Sequence, residues 1–457
     1  MSPTRPGKGT FPRYRYLAAV SAEAVGGGMY VPVSLLYFHR VAGLPLGQVG
    51  GALTVAALVG LAVSPFFGAL VDRLGARSVV AVGFAVRAVG FVCYPFVHQW
   101  WQLLAAATLV AVGDRSFQAS IQALISELAQ GAERQRMIAT QSSLRNAGFG
   151  VGGLLASLAL AADADWAYHA VVLGSGAGLA LAAVLIAGLP SGRVPAAAAE
   201  ATADGKPADG PRPSGGYGAV LRDRPYLGLT LATVPLAFCY SSLSVILPVY
   251  TTQTLHASAS LPGLLFTVNT VLVALAQVPV NSWTSKWRRT RVAAMGGVVF
   301  AAAFLGFAAL SALDGGVVLV SGLMLTTVLY TGGELLHSPS SGALSTDAAP
   351  DALRGRYLAV YYLSWSVAKA AAPALFTTLL AVSAQLTWLL LAGGVLIGSL
   401  AMLRLEPRLP AHAVRPAPEP GNAEPGSTGP KGAEPAGEPA GTASGAAASP
   451  TRRTRRS

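Results

Sequence analysis

The sequence predicts an all-α integral membrane protein with about twelve transmembrane helices in two six-helix bundles. Of 457 residues, 53% are hydrophobic and only 11% are charged, and the mean hydropathy is +0.53, which is too apolar for a water-soluble protein of this length. The apolar segments are about 20 residues long and could each cross the hydrocarbon as a helix, whereas barrel strands would alternate over about 10 residues. A polar stretch divides the segments into six and six.

The elements follow in order along the chain. Residues 1–15 are assigned to a cytoplasmic N-terminus, 16–189 to the first bundle, 190–225 to a cytoplasmic linker, 226–404 to the second bundle and 405–457 to a disordered cytoplasmic tail. Linker and tail are rich in Pro, Gly, Ala and charge, so they cannot bury a core. The helices are predicted near 16–38, 47–71, 78–97, 101–128, 137–161, 168–189, 226–250, 260–283, 292–313, 316–346, 357–381 and 384–404. The first is expected to be a retained span, because it is too long for a signal-peptide core and contains Glu23.

Basic residues mark one side of the membrane. They lie in the N-terminus and in every second loop, whereas the other loops carry only Arg40. The positive-inside rule therefore predicts that both termini are cytoplasmic, and it explains the net charge of +12 without a nucleic-acid partner. The residues that set this topology are Arg5, Lys8, Arg13, Arg15, Arg73, Arg77, Arg134, Arg136, Lys286, Arg288, Arg289, Arg291, Arg354 and Arg356.

An internal repeat joins the two halves. The stretch 113–139 aligns without gaps with the stretch 333–359, and each has a carboxylate directly after its first glycine, Asp114 in one and Glu334 in the other. Apolar composition does not explain the further matches of charge, which pair Glu127 with Asp347, Arg134 with Arg354 and Arg136 with Arg356. The repeat indicates a transporter built from two related halves.

Several charges fall inside the predicted spans. A charge at the bilayer centre costs about 2.5 to 3.5 kcal/mol on insertion scales, so each needs a partner, water or a function. They are Glu23, Arg87, Asp114, Arg115, Arg145, Glu334 and Lys369. Glu334 lies in LYTGGELLHSPSSG, three residues before His337 and on the same helix face. A relay between these two side chains and a histidine bonded to a carbonyl group are both open alternatives.

The loop GALVDRLGARS, residues 68–78, resembles the signature of the major facilitator superfamily. The resemblance covers roughly residues 12–405 and implies the major facilitator fold. It implies that Gly68 lets two helices approach, that Asp72 interacts with the positive end of a neighbouring helix, and that Arg73, Gly75 and Arg77 complete a cytoplasmic gating motif. Charges that only set topology would explain the arginines but not Asp72 or the glycines.

A second motif is carried by the fourth span. Arg115, Gln118 and Ala119 are similar to a superfamily motif linked to proton transfer in proton-coupled members. A cation beside Asp114 favours its ionised form, and re-pairing of that cation would let the carboxylate take a proton. The alternative is a buried ion pair with a structural role only.

The fifth span carries a third motif, RNAGFGVGGLLAS, residues 145–157. It is similar to the glycine-rich motif of family exporters, but Gly153 stands where the motif has proline, and this weakens the inference to export. Close helix packing through Gly148 and Gly152 is expected on small-residue grounds alone.

These resemblances imply proton-coupled efflux of small amphipathic or drug-like molecules across the plasma membrane by alternating access, as in the drug:proton antiporter branch. Glu334, Asp114, Arg115 and Glu23 are the candidates for proton coupling. The alternative is a metabolite uptake symporter or facilitator of the same fold. An aromatic-rich substrate cavity suits an amphipathic or cationic substrate. Its predicted residues are Tyr30, Gln118, Arg145, Asn146, Tyr240, Tyr330, His337, Tyr361, Trp365 and Lys369.

The expected partners are a small-molecule substrate, protons and the lipid bilayer, with no cofactor and no metal, and the protein is expected to act as a monomer. An intramembrane enzyme is disfavoured, because the sequence has no GxSxG elbow, no HExxH motif and no paired aspartates at a known spacing.

Overall fold

The computed structural model describes residues 10–162, 164–189, 217–313 and 315–415, which form twelve long helices. In the first half these are α1 (Thr10–Tyr30, continued by a turn at Val31–Val33 and the helix Ser34–Arg40), α2 (Leu46–Leu74), α3 (Ala76–Cys93), α4 (Trp100–Leu128), α5 (Gly131–Leu160) and α6 (Asp165–Ala187). In the second half they are α7 (Arg224–Ala232, continued by Val234–Val249), α8 (Leu261–Thr284), α9 (Arg289–Leu310), α10 (Gly316–Asp347), α11 (Arg354–Val382) and α12 (Ala384–Leu405).

Ten of these helices are long and apolar enough to cross a membrane, by length and composition. The other two, α4 and α5, are 29 and 30 residues long and are more polar, because they carry the Asp114–Arg115 pair and the RNAGFG stretch. Large apolar side chains such as Phe66, Val278 and Val317 are exposed on the outer faces of the helices. Such faces suit lipid rather than water as their solvent.

The two halves pack in the same way. Within the first half α3 packs on α4 and on α6, and α1 packs on α5; within the second half α9 packs on α10 and on α12, and α7 packs on α11. The halves meet through α2 with α11 and through α5 with α8, which is again a matched pair of contacts. The predicted architecture of two pseudo-symmetric six-helix bundles is therefore confirmed.

Glycine pairs allow close crossings at equivalent places in the two halves. A Cβ atom built on Gly113 of α4 would lie 2.6 Å from the carbonyl oxygen of Gly83 on α3. In the other half, a Cβ atom on Gly333 of α10 would lie 3.0 Å from the carbonyl oxygen of Gly296 on α9. The aligned glycines of the repeat thus let equivalent helices approach, and each places its following carboxylate, Asp114 or Glu334, next to a crossing.

The halves are joined at one end, which we call the joined end. There the Ser157 hydroxyl donates to the Ser260 carbonyl oxygen at 2.8 Å, and the Ala374 amide donates to Thr54 Oγ1 at 2.9 Å. The opposite end, which we call the basic end, carries the loops at Gly75, 129–130, 285–288 and 348–353. A Cβ atom on Gly68 or Gly342, near the basic end, would meet no atom within 4 Å.

The predicted linker and tail need two corrections. Residues 217–222 of the linker form a short helix, Tyr217–Arg222, and α7 begins at Arg224. Residues 405–415 are ordered rather than part of a disordered tail. Glu406 pairs with Arg288 and accepts from the Thr290 hydroxyl, and the short helix Ala411–Val414 buries Ala413. Residues 190–216 and 416–457 lie outside the described residues.

Candidate functional site

Two cavities lie where the two halves face each other. The central cavity has a volume of about 440 Å³, and the basic-end cavity has a volume of about 490 Å³. Both are lined by residues of both halves, and Lys369 of α11 lines both. The polar and aromatic lining of the central cavity consists of Arg145, Asn146, Phe149, Tyr240, Ser244, Phe266, Asn269, Thr270, Tyr330, Glu334 and Lys369. That of the basic-end cavity consists of Arg115, Gln118, Ser338, Ser341, Tyr361, Tyr362, Trp365, Ser366 and Lys369.

Glu334 lies in the wall of the central cavity. Its Oε2 atom accepts a hydrogen bond of 2.9 Å from the Asn269 side-chain amide on α8, and this amide also donates to Thr331 Oγ1 at 3.0 Å. The amide therefore holds the carboxylate in place without neutralising its charge. Lys369 is within electrostatic range of Glu334 and is the cation that acts on it.

His337 does not form the relay that its spacing from Glu334 suggested. Its side chain is fully buried between α9 and α10, and its Nδ1 atom lies 3.3 Å from the Tyr240 hydroxyl. Its Nε2 atom has no hydrogen-bond partner among the described residues. The alternative of a bond to a carbonyl group is not observed either, since the partner is a tyrosine.

An ionic triad occupies the matching region of the first half, with Glu23 and Arg87 buried and Asp114 partly exposed. Arg87 Nη1 lies 3.2 Å from Glu23 Oε1 and 3.8 Å from Asp114 Oδ1, so one guanidinium bridges two carboxylates. The Gln118 amide donates to Asp114 Oδ2 at 2.7 Å. The expected pairing of Asp114 with Arg115 is therefore wrong. Neighbouring residues of a helix point in different directions, and Arg115 faces the basic-end cavity instead.

Most of the predicted cavity residues line one of the two cavities. Those in the central cavity are Arg145, Asn146, Tyr240, Tyr330 and Lys369, and those in the basic-end cavity are Gln118, Tyr361, Trp365 and again Lys369. Tyr30 is different, because its ring packs on Phe91 and Tyr94 of its own half, with centroid distances of 4.7 and 5.7 Å. His337 lies behind Tyr240 as described above. Both are packing residues in this conformation.

The gating motif lies at the basic end, where the halves are apart. Asp72 and Arg73 are exposed, and Gly68 has no neighbour, so the close helix approach expected at Gly68 is absent in this conformation. Gly75 has φ +79°, a conformation that favours glycine, and it is the single residue between α2 and α3. Arg77 donates to the Leu189 carbonyl oxygen.

A different acidic residue, Glu127 of α4, lies at the N-terminus of α3. The Glu127 carboxylate lies near the backbone of Ala76, the first residue of α3, and near Arg77. Its repeat partner Asp347 pairs with Arg289, at the first residue of α9. The repeat thus places an acidic residue at the start of the equivalent helix in both halves.

The glycine-rich stretch of α5 serves two neighbours. A Cβ atom on Gly148 would lie 2.6 Å from Ala24 Cβ, and one on Gly152 would lie 2.7 Å from the Met29 amide nitrogen, so the predicted close packing is confirmed, and its partner is α1. A Cβ atom on Gly153 would lie 2.8 Å from Thr267 Oγ1 of α8. The residue that departs from the exporter motif therefore lies at the contact between the halves.

Asn269 is the main site residue that the sequence reasoning missed. It is a single amide in the apolar stretch FTVNTVLVAL of α8, and a lone polar side chain in such a stretch was a usable signal. Arg87 was recognised as an intramembrane charge, but its partners were not assigned.

A family model described as Major Facilitator Superfamily matches residues 17–260 and 229–451, which together span most of the chain. The chain belongs to the major facilitator superfamily. Membership in this superfamily, predicted from the loop at residues 68–78 and from the 6+6 layout, is confirmed. It is a superfamily of transporters, so this protein is a membrane transporter.

Several relatives of the chain are named as multidrug resistance proteins. The chain is 26% identical over 350 residues to "Multidrug resistance protein MdtH" of Cronobacter sakazakii, covering 75% of this chain and 81% of the relative. It is 24% identical over 346 residues to the protein of the same name from Aeromonas hydrophila, covering 75% and 82%.

Solved transporters share the fold. A peptide transporter POT in complex with sulfate has a TM-score of 0.67 at 16% identity, with 89% of this chain and 96% of that chain covered. The nucleoside transporter NupG has a TM-score of 0.68 at 12% identity, with 86% and 99% covered. At these identities the likeness concerns the fold alone.

Proposed function

We propose that this protein is a proton-coupled exporter of small amphipathic or drug-like molecules, which works by alternating access in the plasma membrane with both termini in the cytoplasm. The observation that carries the proposal is Glu334, a carboxylate in the wall of a cavity between the two halves of a superfamily transporter. The multidrug-resistance names of the relatives support export as its direction.

Glu334 is the proposed proton carrier. Protonation would neutralise Glu334, the one acidic side chain among the described residues that line the central cavity. It would thereby remove the attraction between Glu334 and Lys369. Substrate and proton binding would then be linked through the charge of one cavity, and linkage of this kind is reciprocal. The Asn269 amide, which can donate to either protonation form, would keep the carboxyl group in place during the cycle.

The triad in the first half is proposed as a second part of the proton-coupling machinery. Glu23 and Asp114 share the single cation Arg87, so a proton on either carboxylate would leave one neutral ion pair. Arg115 lies in the basic-end cavity, where it would contact the substrate and repel Lys369 rather than pair with Asp114.

The motif Gly68, Asp72, Arg73, Gly75 and Arg77 is proposed to close the basic end in the other conformation. The conformation described here is joined at the opposite end, and the exposed Asp72 and Arg73 suit a gate that is open. Rocking of the halves about the cavities would exchange the two states, and one chain is proposed to suffice for this.

Transport by inverted membrane vesicles tests the proposal. With an acidic lumen imposed, vesicles that contain the protein should accumulate a dye-like substrate, and a protonophore should abolish the accumulation. Accumulation that is insensitive to the pH gradient would refute antiport and favour the alternative, a facilitator or uptake symporter. Vesicles from cells without the protein are the control.

A further inference from the structure

The charges that line the two cavities do not balance. Three basic side chains, Arg115, Arg145 and Lys369, line the cavities, whereas Glu334 is the one acidic residue in their described lining. The lining therefore has a formal excess of two positive charges. The adjacent triad has two carboxylates and one guanidinium, so an excess of one positive charge remains when the triad is included.

The three basic side chains also lack a close ion-pair partner within the described residues. Within the described part of the chain, the ion pairs with nitrogen–oxygen distances up to 4.0 Å involve none of them. Arg145 stacks between the rings of Phe117 and Phe149, with distances of 5.7 and 5.8 Å to their centroids. Lys369 is within electrostatic range of Arg115, a like charge, as well as of Glu334 and Asp114. Unpaired cations in a low-dielectric region are costly unless an anion or water meets them.

The basic-end cavity combines this charge with aromatic and hydroxyl groups. Arg115 and Lys369 are its charged lining residues, and no acidic side chain stands among the described residues that line it. Its wall also holds Tyr361, Tyr362 and Trp365, and hydroxyls of Ser338 and Ser366. A guanidinium and an ammonium with neighbouring hydroxyls are donors suited to a carboxylate or sulfonate, and the rings suit an apolar body.

We infer that the substrates of this transporter are amphipathic anions, whose acidic group binds between Arg115 and Lys369 and whose ring system lies on Trp365 and the neighbouring tyrosines. This inference rests on the proposed function for the use of the cavity. It keeps the amphipathic character of the substrate that the sequence suggested and replaces the cationic alternative with an anionic one. Lys369 lines both cavities, so a zwitterion bound there could in addition extend into the central cavity and place a cationic group near Glu334.

Three probes with one ring system and different charges test the inference. These anthracene probes are anthracene-9-carboxylate, 9-anthracenemethanol and 9-(aminomethyl)anthracene, which at neutral pH are an anion, a neutral molecule and a cation. Binding to the full chain in nanodiscs, measured by fluorescence anisotropy without a proton gradient, should favour the carboxylate over the alcohol by about 10-fold or more, since hydrogen bonds to charged groups are the strong ones. Empty nanodiscs correct for partitioning into lipid.

Variants assign the preference to the two side chains. Arg115→Gln and Lys369→Gln should each weaken carboxylate binding by about 10- to 100-fold and leave alcohol binding within about twofold, whereas Lys369→Arg should retain the preference. Arg136→Gln and Lys286→Gln, which remove exposed charges outside the cavities, are the matched controls. Since Arg115 and Lys369 are tested separately, failure of one variant to fold does not remove the test.

Binding of the amine as tight as or tighter than that of the carboxylate would overturn the inference. So would an anion preference that survives both Arg115→Gln and Lys369→Gln. Because the binding assay uses no gradient, a carboxylate preference without proton-driven transport would leave the inference standing and refute the proposed coupling instead.

Discussion

The contact between α5 and α8 at the joined end gives a prediction that does not depend on substrate. A Cβ atom on Gly263 would lie 2.7 Å from the Gly153 carbonyl oxygen and 3.0 Å from the Ser157 amide nitrogen. Both are backbone atoms, so no flexible side chain can move aside. Gly263→Ala should therefore strain the conformation described here and favour the one in which the joined end opens.

The magnitude follows from the overlap. An ordinary van der Waals contact of a Cβ atom begins at 3.4 Å, so the two backbones must separate by several tenths of an ångström. Overpacking of this kind costs about 1 to 3 kcal/mol. Because the strain is present only while the end is joined, the ratio of open to joined molecules should rise by about 5- to 150-fold.

Cysteine accessibility measures that ratio. The chain has two native cysteines, Cys93 and Cys239, and in a background with both replaced by alanine, Ser244→Cys introduces one thiol into the wall of the central cavity. A membrane-impermeant maleimide added on the side of the joined end should label this thiol faster when Gly263→Ala is also present.

Gly150→Ala is the matched control for this experiment. Gly150 is on the face of α5 that also carries Gly153 and contacts α8. A Cβ atom on Gly150 would make an ordinary contact of 3.5 Å with Thr270 Cγ2. Labelling rates that are equal for Gly263→Ala and Gly150→Ala would refute the reasoning, because the two changes have the same chemistry and differ only in the overlap.

Three further predictions concern the motif and the triad. Asp72→Asn should lower the turnover of transport more than the affinity for substrate, because Asp72 is exposed in this conformation and is proposed to act only when the basic end closes; unchanged turnover would point to topology alone. Gly75→Ala should lower the free energy of unfolding by about 1 to 3 kcal/mol because of the φ of +79°, whereas Gly68→Ala should not, as thermal denaturation in detergent would measure. Arg87→Met should cost about 3 to 5 kcal/mol because it leaves Glu23, only 2% exposed, without its cation, and an unchanged unfolding midpoint would contradict the role of the triad.

The fold was predictable because its determinants are local in sequence. Hydropathy predicted the helices, and the repeat predicted the relation between the halves. The repeat was informative because Gly113 and Gly333 are both packing residues at close helix crossings. In each half the glycine is followed by a carboxylate, so the two carboxylates lie at equivalent places.

The pairing of charges was not predictable in the same way. Asp114 and Arg115 are adjacent in sequence, but they project from α4 in different directions. The actual partner, Arg87, comes from α3, and the crossing at Gly83 and Gly113 brings it near. A choice between these partners needs the tertiary contact, which no spacing in a single sequence supplies.

The gating motif depends on the conformation. The sequence predicted a contact at Gly68 and a helix end for Asp72, and both would form at the basic end, where the halves are apart in the present conformation. Gly75 is the exception, since its backbone angle is needed in the turn between α2 and α3 itself.

The central claim is that Glu334 couples proton movement to substrate movement. The most direct measurement is the accumulation of the anthracene probes in inverted vesicles with an acidic lumen, compared among the wild type, Glu334→Gln and the control Glu133→Gln. The control carboxylate is half exposed at the start of α5, where it pairs with Arg13, and it lines neither cavity. Glu334→Gln should bind the preferred probe in nanodiscs at least as tightly as the wild type, because the negative charge that attracts Lys369 is gone, but it should show no gradient-driven accumulation, and Glu133→Gln should accumulate the probe normally. Accumulation by Glu334→Gln at the wild-type level and with the same dependence on the pH gradient would contradict the account.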